Sequence, residues 1–257
     1  MRIAFIGKGG AGKSAIAGIF CRLLAQETGQ PVVAIDSDPL PGLAISLGLP
    51  TFDTPLPPEL VEQVGDDPAT ATWQLRPGTS ATAAVEQYAP EGGDGVRLLQ
   101  WGKLHGRGNV QVLLQSQEAF RLIVNGLTET DRHMVGDLPG GTRQPFFGWG
   151  DFADVLVVVA EATPASMLSA KRLANLRGRT GRGRDQVIVA IANKAVDPDD
   201  GERLSRFSGL RVLGAVPHDA AIGEAERVGV SLLDHSPAAP AVEAVRSLVV
   251  AMQEGAP

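Results

Sequence analysis

Short apolar, β-prone runs alternate along this chain with longer stretches of helical periodicity. That alternation predicts an α/β fold, a parallel sheet with helices on both faces. The runs that read as strands are 2–6, 32–35, 96–100, 133–135, 155–160, 187–191 and 212–216. Helical spacing is expected over 13–28, 115–127, 164–177, 219–228 and 240–253. Between 50 and 94 the pattern breaks, because Pro, Gly, Thr and Asp are frequent and periodicity is weak. That stretch reads as an irregular excursion within one domain spanning 1–257, and no internal repeat is evident.

Composition narrows the class only a little. With 257 residues, 44% hydrophobic and 20% charged, the chain can bury a sizeable core as one large domain. A net charge of −6 argues against a protein-wide nucleic-acid surface. The single cysteine, Cys21, excludes an internal disulfide and reads as a small buried hydrophobe in the first helix. No apolar run reaches membrane-spanning length, and the first strand begins at Arg2 with no leader pattern before it. A cytoplasmic protein is the expectation.

The chemistry starts at the turn after the first strand. Gly7-Lys8-Gly9-Gly10-Ala11-Gly12-Lys13-Ser14 fits G-x-x-x-x-G-K-[ST], the loop that cradles phosphates. It follows an apolar run and opens a helix, which is the setting the motif requires. Glycines allow successive backbone N–H groups to turn toward phosphate oxygens, and the helix N-terminus adds positive potential. Lys13 is expected on the β- and γ-phosphates and the Ser14 hydroxyl on Mg²⁺. This makes the fold a P-loop NTPase with ATP/ADP and Mg as its cofactors. Two further acidic stretches end apolar runs. Asp36-Ser37-Asp38-Pro39 follows the second strand, and Asp137 ends the fourth before Leu138-Pro139-Gly140-Gly141. Ligands of open parallel sheets bind beyond the carboxyl ends of strands, so these carboxylates should face the phosphates. An Asp held rigidly at a strand end suits a hard cation. Each Asp also has a plain reading as a turn residue. Asn193 follows a strand with a donor and an acceptor suited to adenine's edge. The guanine-reading N-K-x-D is not completed, since Val196 stands in the last position.

Lys8 is a second lysine that an ordinary phosphate loop does not ask for. The run K-G-G-x-G-K-[ST] resembles the deviant loop of the MinD, ParA, ArsA, nitrogenase iron protein and CooC ATPases. The resemblance implies an ATP-bound homodimer in which Lys8 reaches the partner's nucleotide. It implies that Asp38 aligns the attacking water, that Asp36 stands near the magnesium shell and that Asp137 serves the metal. It also implies that Asn193 bonds the base and that Pro217-His218-Asp219, after Lys194 and the last strand, packs beside it. His218 itself reads as a loop residue. The similarity extends over nearly the whole chain and is strongest to CooC-type ATPases, through stretches such as 88–103, 213–219 and 224–230. The C-x-C metal motif of that type would fall after Gly108, where Asn109-Val110-Gln111 stand instead. His105 alone is a poor soft-metal donor. The expected partner is therefore an unidentified protein or metalloenzyme client.

Two other classes compete. Lys171, Arg172, Arg177, Arg179, Arg182 and Arg184 form an acid-free basic stretch that could meet DNA phosphates, although a solvated helix end explains it as well. The last helix carries only Arg246 as a cation, which argues against membrane binding. A nucleotide-dependent scaffold with little turnover is the third reading. Phe146, Phe147 and Trp149 fit either an interaction surface or a core.

Overall fold

In the computed structural model the described residues are 1–38, 42–52, 54–65, 71–101, 110–141, 148–176 and 186–255. Seven strands form one parallel sheet: β1 (Arg2–Gly7), β2 (Val32–Asp36), β5 (Arg97–Gln100), β6 (His133–Asp137), β7 (Val155–Ala160), β8 (Val187–Ala195) and β9 (Val212–Pro217). Their order across the sheet is β5-β2-β6-β1-β7-β8-β9, with every pairing parallel. Period-2 alternation sends successive side chains to opposite faces. Ile3 and Phe5 of β1 join one core, while Ala4 and Ile6 join the other.

The first core lies under α1 (Lys13–Thr28) and α9 (Pro240–Gln253), with α7 (Ala220–Val228) and α8 (Leu232–His235) at its edge. The second is covered by α3 (Ala81–Tyr88), α4 (Val110–Leu127), α5 (Pro164–Leu176) and α6 (Asp200–Ser208). Helix α1 is buried on nearly every side, from Ile16 to Ala25. It ends at Gly29, whose left-handed φ of 62° returns an N–H to the Ala25 carbonyl.

The stretch 50–94 is more ordered than its composition suggests. It holds an antiparallel hairpin of β3 (Val61–Val64) and β4 (Thr72–Leu75), followed by α3. Ser80 caps α3 by accepting from Ala83 N at 3.1 Å. Leu56, Leu60, Val61, Ala84 and Val85 all belong to the second core. The expectation of an irregular excursion is corrected to that extent. Alanines carry much of the buried face of α3, and prolines interrupt the run before it, so the periodic signal was faint. Helix α6 escaped notice because only Asp200, Leu204 and Ser208 of it are buried, and the one-turn α2 (Leu43–Ser46) because it is too short to show a period. Strand β8 runs to Ala195, so Asn193 and Lys194 sit within a strand and not after it. Its register to β9 shifts between Asn193 and Ala195, and Lys194 takes a positive φ of 54°.

One ion cluster ties α1 to distant chain. Arg22, 6% exposed, donates from Nε to Asp94 at 2.6 Å and from Nη1 and Nη2 to Asp234 at 2.7 and 2.8 Å. Burial opposes the Arg22 charge, and the two carboxylates overcome it, so its proton affinity is raised. Asp234 is half exposed, so removal of Arg22 leaves that carboxylate partly hydrated. Arg22→Ala should therefore cost about 1–3 kcal/mol, between exposed and fully buried pairs. Urea denaturation measures it, and an unchanged midpoint contradicts it.

Candidate functional site

The site forms where β1 turns into α1. Gly7 has φ of 151°, and a Cβ there would collide with the Val159 carbonyl oxygen of β7. Gly12 has φ of 89°, and a Cβ there would strike the Asn193 amide. Only glycine fits the close approach of strand, loop and helix at these points. Within the loop Ala11 N donates to Lys8 O at 3.2 Å. The N-cap Gly12 brings no side-chain acceptor, and no acid lies in the first turn of α1. The amides at this helix end thus remain available to an anion.

The two lysines differ sharply. Lys13 is 7% exposed, whereas Lys8 is exposed and makes no ion pair with the described residues. Gly140 lies over the loop, its Cβ position 3.1 Å from Gly9 Cα and 3.7 Å from Lys13 Nζ. Gly141 N donates to Gly7 O at 3.1 Å. The start of the stretch after Asp137 therefore touches the phosphate loop directly.

Beside the loop stand the carboxylates. Asp36 and Asp137 are register partners at the ends of adjacent strands, 0% and 2% exposed. The Ser14 hydroxyl donates to Asp137 Oδ2, and Asp137 Oδ1 has no partner among the described residues. Burial pushes the Asp137 carboxyl above its ordinary range, and the Asp36 charge adds to this. Asp36 is raised first by burial too, against the amides it accepts from. Its Oδ1 takes Asp38 N at 3.0 Å, and its Oδ2 takes Gly42 N and Leu43 N, each at 3.1 Å. Asp36 thereby organises the backbone that follows β2, and Asp38 is placed two residues beyond it. A hydroxyl and an unpaired carboxylate oxygen form a hard donor set that fits magnesium, with other positions left to phosphate and water.

The far end is a cavity of about 420 Å³ running from Gly10 and Lys13 to Pro217 and His218. It brings together all the residues expected around the base. Asn193 Nδ2 donates to Ala11 O at 2.7 Å, and its buried Oδ1 has no partner among the described residues. That leaves one acceptor for a ligand N–H. Lys194 lines the cavity, yet its ammonium is committed to Gly10 O at 2.8 Å and Glu161 Oε1 at 3.0 Å. It braces the loop. Asp219 likewise spends both oxygens on Ala221 N and Ala241 N, capping α7. His218 donates its N–H to Ala195 O at 2.9 Å. Ile222, Gly223 and Glu226 complete the wall and were missed from sequence. Helical spacing after the Asp219 cap could have found Ile222 and Glu226, which lie one turn apart. Glu161, at the end of β7, carried no motif.

Several expectations fall elsewhere. Pro39, His105, Asn109, Phe146, Phe147, Arg177, Arg179, Arg182 and Arg184 lie outside the described residues. Trp149 is partly buried, its ring centroid 5.5 Å from that of Trp101 and 5.9 Å from that of Phe120. Arg246 of α9 pairs with Glu27 at 2.8 Å. Among the described residues no helix is long and apolar enough to cross a membrane.

A phosphate loop opening a buried helix, hard oxygen donors beside it and a base-sized cavity define a P-loop nucleotide-binding protein. Residues 3–232 match the model of the CobQ/CobB/MinD/ParA nucleotide binding domain, and the chain belongs to that family. It is 32% identical over 247 residues to carbon monoxide dehydrogenase accessory protein CooC of Rhodospirillum rubrum, covering 93% of this chain and 91% of that protein. It is 28% identical over 260 residues to an uncharacterised ATP-binding protein of Methanocaldococcus jannaschii, covering 98% and 99%. The fold resembles a ParA family ATPase from Chlorobium tepidum, with a TM-score of 0.73, 17% identity and 97% of each chain covered. It also resembles the septum site-determining protein MinD with Mg-ADP from Pyrococcus horikoshii, with a TM-score of 0.72, 16% identity and 99% and 96% covered.

The raised carboxyls set a pH dependence. Above the ordinary carboxylate range, Asp36 and Asp137 hold protons more tightly when folded than when unfolded. Their contribution to stability is therefore full at acid pH and is lost as pH rises through their folded values. A cation at the site opposes that loss. Mg²⁺ with nucleotide should thus raise the melting temperature more at about pH 8 than at about pH 5. Equal shifts in thermal melts at both pH values count against a cation on these carboxylates.

Proposed function

We propose that this chain is an ATPase that dimerises around ATP and acts as a switch on a protein client. The observation that carries this reading is the contrast between the loop's two lysines. Lys13 is drawn into the site of its own chain, whereas Lys8 stands exposed and makes no ion pair with the described residues. A cation on the rim of a phosphate loop, with no ion pair among the described residues, is suited to a second nucleotide brought by another copy.

The residues then divide the work. Backbone amides of Gly9 to Ser14 bind the phosphate chain, and Lys13 neutralises its charge. Ser14 and Asp137 are the residues that would hold magnesium, which when bound neutralises phosphate charge and favours departure of the leaving group. Asp38 orients the attacking water as a hydrogen-bond acceptor, with its backbone N–H fixed by Asp36. Asn193 Oδ1 accepts from the adenine amine, and Pro217 and His218 flank the base. Lys8 from the neighbouring copy stabilises charge in the transition state. Loss of the γ-phosphate frees the Gly140-Gly141 backbone, and the dimer opens. The 32% identity to an accessory protein of carbon monoxide dehydrogenase supports a client that is itself an enzyme under assembly.

Two substitutions separate the lysine roles. Lys13→Ala should weaken ATP binding about 100-fold, whereas Lys8→Ala should keep affinity within about threefold and lose turnover by about 100-fold or more. Calorimetry and phosphate release measure these, and equal binding losses contradict the division. Sedimentation of the wild type should show a dimer with ATP and a monomer with ADP. A monomer in both at saturation refutes the switch.

A further inference from the structure

A second cavity lies away from the phosphate loop, between the chain after α2, the end of α3 and the end of β5. Its volume is about 500 Å³, a size that suits one small organic molecule. Pro50, Pro55, Pro57 and Pro90 give it stiff walls, and Phe52, Leu56 and Tyr88 give it apolar area. Rigid walls around a small volume suit a compact ligand better than an extended chain.

Polar groups in that wall are few, and one of them is buried and unsatisfied. Gln100 lines the cavity and is 3% exposed. Its Nε2 donates to the Phe52 carbonyl, while its Oε1 has no partner among the described residues. Among the described residues no hydrogen bond engages the hydroxyl of Tyr88, the only tyrosine in the chain. A buried acceptor left unpaired is costly, and a small turn of the Gln100 amide toward the cavity would present it to a ligand N–H and remove that cost.

We infer that this cavity is a binding site for a small aromatic molecule carrying one N–H or O–H donor, which Gln100 accepts. The site also adjoins the nucleotide machinery. Gln100 is the register partner of Asp36, and the next residue, Trp101, donates from its indole N–H to the Asp38 carbonyl at 3.4 Å. Occupancy is therefore felt at the residue that aligns water, a link that rests on the function proposed above.

Indole is the probe, with 1-methylindole as its donorless counterpart. Titration followed by NMR of ¹⁵N-labelled full-length protein should show saturable indole binding with a dissociation constant below ~1 mM, and 1-methylindole at least ~10-fold weaker. Shifts should centre on the Gln100 side-chain amide and on residues 49–57. Gln100→Met should bring indole down to the level of 1-methylindole, and Thr54→Phe, which fills the cavity, should abolish binding of both. No binding by the wild type, or equal binding of the two probes, overturns the site. Those wild-type results decide the matter even where a variant does not fold. Saturating indole should also change ATP turnover at least ~2-fold, and Trp101→Phe should remove that change while indole still binds. Binding without any change in turnover keeps the site and overturns the link. Absence of ATP hydrolysis altogether refutes the proposed function, and the binding titration is unaffected by it.

Discussion

Two buried carboxylates face each other across adjacent strands. Asp36 and Asp137 are both buried, both raised in proton affinity and both close to the phosphate loop. A protein interior tolerates such charge only when it is hydrogen-bonded, paired or neutralised by a metal. Asp36 meets the first condition with three backbone amides, while Asp137 has one hydroxyl and an oxygen to spare. The imbalance makes the site a receptor for positive charge. The amide-rich helix end beside it makes the same site a receptor for negative charge. Under the function proposed above, metal and phosphate would answer both demands together.

The sheet order brings these opposed demands to one place. β1 supplies the loop and lies between β6 and β7, while β2 lies on the far side of β6. Asp36, Asp137 and Gly7 therefore leave the sheet side by side, at its carboxyl edge. On the other side β8 contributes Asn193 and Lys194, which donate to loop carbonyls, and Glu161, just after β7, pairs with Lys194. The fold thus separates a charged half, which the proposed function gives to phosphates, from a half that shapes the cavity proposed for the base.

Much of this was legible in the residues. The loop and the strand-terminal aspartates announce themselves, because glycine and carboxylate requirements are strict and local. The seven sheet strands were all foreseen, since buried parallel strands read as continuous apolar runs. What stayed hidden depends on partners far away in sequence. Lys194 and Asp219 look like ligand residues, yet their polar atoms serve Gly10, Glu161 and the start of α9. Glu161 could not be found, because its meaning comes from a lysine on the neighbouring strand. The hairpin and α3 were obscured by alanine and proline, residues whose burial leaves little periodic trace.

The bracing of the loop from beneath has a kinetic meaning. Lys194 accepts a left-handed backbone in order to hold the Gly10 carbonyl, and Asn193 holds that of Ala11. A cradle already shaped before its guest arrives loses little disorder on capture. Association then approaches the limit set by encounter, and residence time becomes the quantity that separates one guest from another.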